Sequence, residues 1–221
     1  MPSKWHDALP RLYAIADASF GDPVEIVQAL IHCGVRLVQV RNKNAGMRVL
    51  LDQVERILAF APSDVRIMVN DRVDVALLAG PAGAAGAHVG QTDLPPAAVR
   101  RILGADRIVG FSTHNLDQAI AADQLPVDYI AVGPIFPTST KTNPDPVVGL
   151  EGLSAISNAV HKPIVAIGGI TRENAIDVLE AGAHTVAVIR DLLDCPDMQL
   201  RTREWINVLS AAVGLTPQSK L

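Results

Sequence analysis

The chain has 221 residues, enough for one domain with a full hydrophobic core, and its length only weakly suggests a second domain. Hydrophobic residues make up 49% of the chain but aromatic residues only 4%, which favours an α/β protein over an aromatic-rich β-sandwich. The formal net charge is −4 and no block of lysine or arginine occurs, so we expect no nucleic acid partner.

Short apolar runs alternate with longer segments of helical periodicity from Leu12 onward. The apolar runs predict eight strands, at 12–16, 37–41, 66–70, 86–89, 108–111, 129–132, 163–167 and 185–189. Helical patterns follow at 24–33, 49–60, 73–78, 95–103, 116–122, 150–160, 171–181 and 198–213. Because parallel strands need helical crossovers, this alternation predicts a parallel sheet.

Eight strand–helix units close most naturally into a single (β/α)8 TIM barrel of the α/β class. A doubly wound open sheet is the alternative, but no Gly-x-Gly-x-x-Gly follows the first strand. We expect one domain over residues 1–221, with an N-terminal extension at 1–10 and a mobile tail at 216–221.

The remaining features bear on location. Cys33 and Cys195 lack metal-binding spacing and are expected to be free thiols in a reducing compartment. Residues 1–10 lack the pattern of a signal peptide, and no apolar run approaches the length that spans a membrane. We therefore expect a cytoplasmic protein with no membrane partner, and the sequence leaves homo-oligomerisation open.

Cationic residues follow the second predicted strand. Side chains alternate faces along a strand, so Gln39 and Arg41 share one face while Val38 and Val40 share the other. The valines suit the helix layer, which points Gln39 and Arg41 into the barrel, with Lys43 just beyond the strand. A buried arginine needs an anion, which would be either a bound ligand or an internal carboxylate.

Two aspartates follow neighbouring strands, Asp71 directly after Asn70 and Asp93 after the fourth strand. Chemistry in such barrels lies at the carboxyl ends of the strands, so we expect the two carboxylates to be close together. Mg²⁺ is commonly held by one or two carboxylates together with substrate phosphates. The alternative is that each aspartate caps a helix, beginning near Arg72 for one and near Pro95 for the other.

The loop Gly133–Lys141 follows the sixth strand and ends in hydroxyls and a charge at Thr138, Thr140 and Lys141. Hydroxyls donate to phosphate oxygens and lysine adds a positive charge, so the loop suits an oxyanion. An ordinary surface loop is the alternative.

A second phosphate-binding feature follows strands seven and eight. Gly168 and Gly169 permit close backbone approach, and we expect a helix to begin directly after them at Thr171. Ile189 and Arg190 end the eighth strand. The loops after these two strands form the usual phosphate site of the fold.

The fifth strand ends in Ser112, whose hydroxyl could donate to a ligand, followed closely by His114. We interpret His114 as structural and His88, which lies within a strand, as a satisfied interior group.

Taken in order, these strand ends resemble the thiamine-phosphate synthase family. The family's Gln-x-Arg-x-Lys, Asn-Asp, His-Val-Gly-Gln-x-Asp and Ile-Gly-Gly-Ile patterns match Gln39–Lys43, Asn70–Asp71, His88–Asp93 and Ile167–Ile170. Its Gly-Pro-(Ile/Val)-aromatic-Pro-Thr-x-Thr-Lys loop matches Gly133–Lys141 without a gap and is the most specific of them. Two positions depart from the family, Arg190 where serine is usual and Ala16 where threonine is common.

The resemblance implies a transferase that joins 4-amino-5-hydroxymethyl-2-methylpyrimidine diphosphate to thiazole phosphate. The products would be thiamine phosphate and pyrophosphate, by a Mg²⁺-dependent and dissociative route. The resemblance further implies metal ligation by Asp71 and Asp93. Catalytic roles would fall to Arg41, Lys43, Ser112 and Lys141. Contacts to the pyrimidine diphosphate carry over to Gln39, Arg41, Lys43, Asn70, Ser112 and Lys141, and contacts to the thiazole phosphate carry over to Thr138, Thr140, Gly169, Ile189 and Arg190.

Other functions remain as alternatives. A thiazole tautomerase-like relative needs neither diphosphate nor metal, and such relatives tend to lose the second aspartate and the Thr-x-Thr-Lys pattern, which are both present here. A non-catalytic regulator that binds a phosphorylated thiazole would not need Asp71 and Asp93 together with Arg41 and Lys43. A sugar-phosphate isomerase on the same barrel is not supported, since no catalytic Glu/His arrangement is evident.

Overall fold

The computed structural model describes residues 9–80, 82–138 and 145–211. Eight parallel strands form a closed barrel in which each strand pairs with the next and the eighth pairs with the first. The strands are β1 (Leu12–Asp17), β2 (Leu37–Arg41), β3 (Arg66–Asn70), β4 (Gly86–Val89), β5 (Ile108–Thr113), β6 (Tyr129–Val132), β7 (Ile164–Ile167) and β8 (Thr185–Val188). The predicted (β/α)8 barrel is therefore confirmed.

Helices surround the barrel within the described ranges. They are α1 (Pro23–His32), α2 (Met47–Phe60), α3 (Val73–Leu78), α4 (Pro96–Leu103), α5 (Leu116–Asp123), α6 (Gly149–Ala159), α7 (Ala175–Glu180), α8 (Arg190–Leu193) and α9 (Met198–Ala211). The predicted tail at 216–221 and most of the predicted extension at 1–10 lie outside the described residues.

Two helices differ from prediction. Helix α7 begins at Ala175 and not at Thr171, because the Asn174 side chain accepts from the Thr171 amide at 2.8 Å and donates to the Gly169 carbonyl at 3.2 Å. These bonds hold a turn where the periodicity predicted helix. The short helix α8 was not predicted; the Ile189 carbonyl accepts from two amides of the following turn and ends the strand.

The strands separate two packed regions. Val38 and Val40 face outward into the core between barrel and helices, as predicted from the alternation. A smaller apolar cluster fills the barrel interior, and it includes Tyr13, Met68 and Tyr129. Side chains thus close the centre of the barrel and leave its carboxyl end open.

Two further expectations concern the thiols and the membrane. Cys33 and Cys195 are free in the structure, as expected. Across the described ranges, none of the helices combines the length and apolar character that crossing a bilayer requires.

Candidate active site

A cavity of about 840 Å³ opens at the carboxyl ends of the strands. Eleven of the predicted site residues line it: Gln39, Arg41, Lys43, Asn70, Asp71, Asp93, Ser112, Thr138, Gly169, Ile189 and Arg190. The other two, Thr140 and Lys141, lie outside the described residues. The barrel therefore brings together residues that are up to about 150 positions apart in the chain.

The two aspartates do not cap helices. Helix α3 is preceded by Arg72 and α4 by Pro95, and neither helix has a side-chain capping bond at its start. Asp93 instead accepts from the Gly90 amide at 2.8 Å, within its own loop. Asp71 has a φ of 60°, a conformation uncommon for residues other than glycine. The capping alternative is therefore wrong for both aspartates.

The electrostatics of this pair indicate a place for a cation. Burial raises the pKa of Asp71, and the neighbouring Asp93 carboxylate raises it further. Lys43, whose Nζ lies 3.6 Å from Asp71 Oδ2, acts in the opposite direction without cancelling the rise. Two carboxylates that repel each other beside a cavity favour a cation between them.

Arg41 has the internal carboxylate that its burial requires. Its guanidinium donates to Asp17, which is 3% exposed and lies directly opposite Arg41 in the pairing of β1 with β2. Asp17 also accepts from the amide and the hydroxyl of Ser19, at 2.9 and 2.7 Å. Sequence reasoning gave Asp17 no role, although its place at the end of β1, level with Arg41, was a usable signal.

The opposite rim is formed by the loops after β7 and β8. Gly169 has a φ of 66°, and a Cβ there would come within 2.7 Å of both Phe136 Cβ and Pro137 O. Arg190 forms an ion pair with Asp194 at 2.6 Å and lies 5.6 Å from the centre of the Phe20 ring. Since α7 begins four residues later than predicted, the expected helix amino terminus does not follow the glycines, and the rim consists of loop backbone and Arg190.

A chain of polar groups crosses the barrel interior at the floor of the cavity, and all of its members except Tyr129 line the cavity. Gln39 Nε2 donates to the Tyr13 hydroxyl at 2.9 Å, and the Tyr129 hydroxyl donates to the same oxygen at 3.2 Å. His88 Nδ1 lies 2.9 Å from the Tyr129 hydroxyl, and His88 Nε2 lies 2.8 Å from Ser112 Oγ. His88 is thus a satisfied interior group, as interpreted from the sequence. Sequence reasoning missed both tyrosines, which read as ordinary apolar strand residues.

Both phenols keep their protons near neutral pH. Burial raises the pKa of Tyr13 to about 12 and also raises that of Tyr129. Neither phenol can therefore act as a general base near neutrality.

The contacts of His114 fit the structural role expected from the sequence. Its Nδ1 lies 2.7 Å from the Gly133 carbonyl and 3.5 Å from Asp145 Oδ2, and its amide donates to Gln118 Oε1 at 2.8 Å. The imidazole joins the end of β5 to the loop after β6, where it also borders the cavity.

Comparisons with known proteins agree with one another. A family model described as thiamine monophosphate synthase matches residues 12–192. A thiamine-phosphate synthase from Koribacter versatilis is 46% identical over 208 residues, covering 91% of this chain and 96% of the relative. Another from Chloroflexus aurantiacus is 39% identical over 215 residues, covering 96% of each.

A solved structure gives the same result. The thiamine phosphate pyrophosphorylase from Pyrococcus furiosus superposes with a TM-score of 0.83 at 33% identity, covering 92% of this chain and 97% of that one. None of these three relatives is a thiazole tautomerase or a regulator, so those alternatives gain no support.

Proposed function

This chain belongs to the thiamine monophosphate synthase family and is a transferase that forms thiamine phosphate, and on that premise we propose which residues hold each part of its two substrates. The observation that carries the assignment is the juxtaposition, in one cavity, of cations after β2, a carboxylate pair after β3 and β4, and a glycine and arginine rim after β7 and β8. The cations after β2 and the rim after β7 and β8 suit the two anionic substrate groups, a diphosphate and a phosphate, and the carboxylate pair suits a metal ion.

The pyrimidine diphosphate occupies the side of β2 to β5. Arg41 and Lys43 bind the diphosphate, because both cationic side chains line the cavity and Arg41 is oriented by Asp17. The ring lies deeper, where Gln39, Asn70 and Ser112 offer polar contacts above the apolar floor. Lys141 is assigned to the diphosphate from its place in the sequence motif.

The thiazole phosphate occupies the opposite rim. Gly169 allows the backbone to approach the phosphate closely, and the Arg190 guanidinium supplies the charge that the usual serine lacks. Thr138 and Ile189 border the same part of the cavity. Thr140 joins this set from its place in the sequence motif.

The aspartate pair fits Mg²⁺. Both carboxylates are free of helix capping, and the pKa of Asp71 is raised first by burial and then by repulsion from Asp93, which a cation would relieve. Among the described residues no cluster of three or more His, Cys, Asp or Glu side chains forms a complete metal site. Asp71 and Asp93 would therefore hold the ion together with diphosphate oxygens, where it supplies charge neutralisation to the leaving group.

The reaction needs no nucleophilic side chain. The bond between the pyrimidine methylene carbon and the diphosphate oxygen breaks, and its electron pair leaves with pyrophosphate. Arg41 and Lys43 stabilise that developing negative charge. The thiazole nitrogen then gives its lone pair to the methylene carbon, and since this nitrogen carries no proton, no general base is required. The floor residues Ile15 and Val165, 3% and 0% exposed, exclude water from the cationic carbon.

The experiment that tests this assignment follows thiamine phosphate and pyrophosphate from the two substrates, with Mg²⁺ or with EDTA. We expect metal-dependent formation of both products in equal amounts. Asp71→Asn and Asp93→Asn should each lower kcat by on the order of 100-fold or more. Arg100→Ala, on the amino-terminal face of the barrel, serves as the control with unchanged kcat. Full activity of either aspartate variant, or of the enzyme in EDTA, would refute the metal assignment.

The cytoplasmic location expected from the sequence stays a prediction, as does homo-oligomerisation. Gel filtration of the purified chain with light scattering measures the second.

A further inference from the structure

Two arginines and two carboxylates form a cluster beside the glycine and arginine rim, and we name it the rim cluster: Arg172, Asp191, Arg201 and Glu204. Arg172 lies in the loop after β7, Asp191 lies in α8 directly after Arg190, and the other two members lie on α9. Arg172 donates to Glu204, while Arg201 Nη1 donates to the Asp191 carbonyl at 3.0 Å and to the Asp191 carboxylate at 3.2 Å. The rim cluster therefore joins both segments of the phosphate rim to α9.

The carboxylates of the rim cluster are shared between several donors. Asp191 Oδ2 accepts from Nε1 of Trp205, a side chain that is 0% exposed, at 2.7 Å, and Arg172 Nε lies 3.6 Å from the same oxygen. Glu204 Oε2 pairs with Arg172 and also lies 3.4 Å from Arg201 Nε. Neither carboxylate serves Arg201 alone, so its positive charge is only partly compensated.

Arg201 keeps hydrogen-bond donors for a ligand. A guanidinium carries five N–H groups, of which those on Nη1 face Asp191 and the one on Nε faces Glu204. Across residues 9–80, 82–138 and 145–211, the two N–H groups on Nη2 have no hydrogen-bond partner. Arg201 lines the cavity, and within the described helix α9 it is the only residue that does so. A ligand at the rim can therefore reach a pair of donors that the protein leaves unused.

We propose that Arg201 binds the thiazole phosphate together with Arg190, and that Asp191 and Glu204 hold its guanidinium in place. Two guanidinium groups from α8 and α9 can hold different oxygens of one phosphate. A guanidinium that is already held by two carboxylates loses little side-chain freedom when the ligand binds. This assignment rests on the proposed function, in which the thiazole phosphate occupies this rim.

The first test measures binding without turnover. Isothermal titration calorimetry with thiazole phosphate alone, in the absence of the pyrimidine substrate, gives Kd for the wild type, Arg201→Gln and Arg203→Gln. Arg203 is exposed on the same helix and does not line the cavity, so its replacement removes the same charge elsewhere. We expect Kd to rise about tenfold or more in Arg201→Gln and to stay unchanged in Arg203→Gln. An unchanged Kd in Arg201→Gln overturns the proposal, as does a wild type that binds no thiazole phosphate.

The second test separates contact with the phosphate from support of the rim. Arg201→Lys keeps a cation at this position but cannot reproduce the bonds of a planar guanidinium to both carboxylates. Urea unfolding should therefore show similar losses of stability in Arg201→Lys and Arg201→Gln. The Kd for thiazole phosphate should nevertheless stay within about threefold of the wild type in Arg201→Lys, because the charge is retained. If Arg201→Lys binds as weakly as Arg201→Gln, Arg201 only supports the rim and the proposal is wrong.

Steady-state kinetics then connects binding to the reaction. In Arg201→Gln we expect the KM for thiazole phosphate to rise while the KM for the pyrimidine diphosphate stays unchanged, since that substrate lies on the side of β2 to β5. A parallel rise of both KM values would indicate general damage to the site and would contradict the proposal. If the wild type binds thiazole phosphate but makes no thiamine phosphate, the proposed function fails, and the calorimetric comparison still decides the role of Arg201.

Discussion

At the scale of single residues, Asp71 combines an uncommon backbone conformation with an unfavourable charge. Its carboxyl is held beside Asp93 with a raised pKa, and its φ is 60°. Features that cost stability are characteristic of functional positions. We therefore expect that a substitution at Asp71 can raise the stability of the protein while it lowers its activity.

We predict that Asp71→Asn stabilises the metal-free protein while it impairs catalysis. A raised pKa means that the folded chain binds this proton more tightly than the unfolded chain, so the free energy of unfolding falls as pH rises above the ordinary aspartate pKa of 3.8. Asparagine removes the charge and tolerates positive φ well. Urea unfolding in EDTA at several pH values should show a flatter pH dependence and a higher midpoint at neutral pH. A lower midpoint there would contradict the argument.

Asp17 supports a second prediction at this scale. Asp17→Ala leaves the Arg41 guanidinium without its internal carboxylate, so we expect a loss of unfolding free energy of about 3 kcal/mol. The KM for the pyrimidine diphosphate should rise as well, because Arg41 is no longer oriented. The double variant Asp17→Ala/Arg41→Ala completes the cycle. If its stability loss equals the sum of the two single losses, the pair is not coupled.

Arg190 is the residue at which the chain departs from its family. We predict that Arg190→Ala raises the KM for thiazole phosphate about tenfold or more and changes kcat less, since the guanidinium serves binding of a non-reacting phosphate. Steady-state kinetics with the pyrimidine substrate saturating measures both constants. An unaltered KM would show that the rim glycines hold the phosphate without this side chain.

At the scale of elements, strand β5 must leave space at Gly110 for side chains of the neighbouring strands. Gly110→Ala would place a methyl carbon 2.1 Å from Tyr129 Cζ, a distance that forces the ring or the strand to move. We expect a destabilisation on the order of 3 kcal/mol, measured by urea unfolding, together with loss of activity. Tyr129→Leu in the same chain should restore part of the stability, because the Tyr129 ring carbon and hydroxyl that the methyl group would meet are removed.

The elements also show where sequence reasoning ends. Strand positions followed from apolar runs, and the inward direction of Gln39 and Arg41 followed from the alternation of side chains. The start of α7 did not, because the Asn174 side chain forms its bonds with loop backbone, which periodicity does not register. Tyr13 was missed for a related reason, since its hydroxyl meets partners on two other strands, β2 and β6, and only closure of the barrel brings them together.

At the scale of the whole molecule, stability and chemistry lie on opposite faces of the barrel. On the amino-terminal face, Arg100 donates to the carbonyls of Pro126, Gly104 and Arg107 and forms an ion pair with Asp128 at 2.5 Å. Its removal as Arg100→Ala should cost about 2 kcal/mol of unfolding free energy and leave kcat and both KM values unchanged. A changed kcat would show that the two faces are energetically linked.

The closed centre of the barrel determines how substrates reach the cavity and how products leave it. Tyr13, Met68 and Tyr129, each no more than 1% exposed, fill the barrel interior. The cavity therefore does not continue along the barrel axis. In the part of the chain that the structure describes, the cavity opens at the carboxyl ends of the strands, where both substrates enter and both products leave. Pyrophosphate that remains in the cavity occupies the site of the next pyrimidine diphosphate. Added pyrophosphate should therefore inhibit turnover competitively against that substrate in initial-rate measurements, and inhibition of another pattern would contradict a shared site.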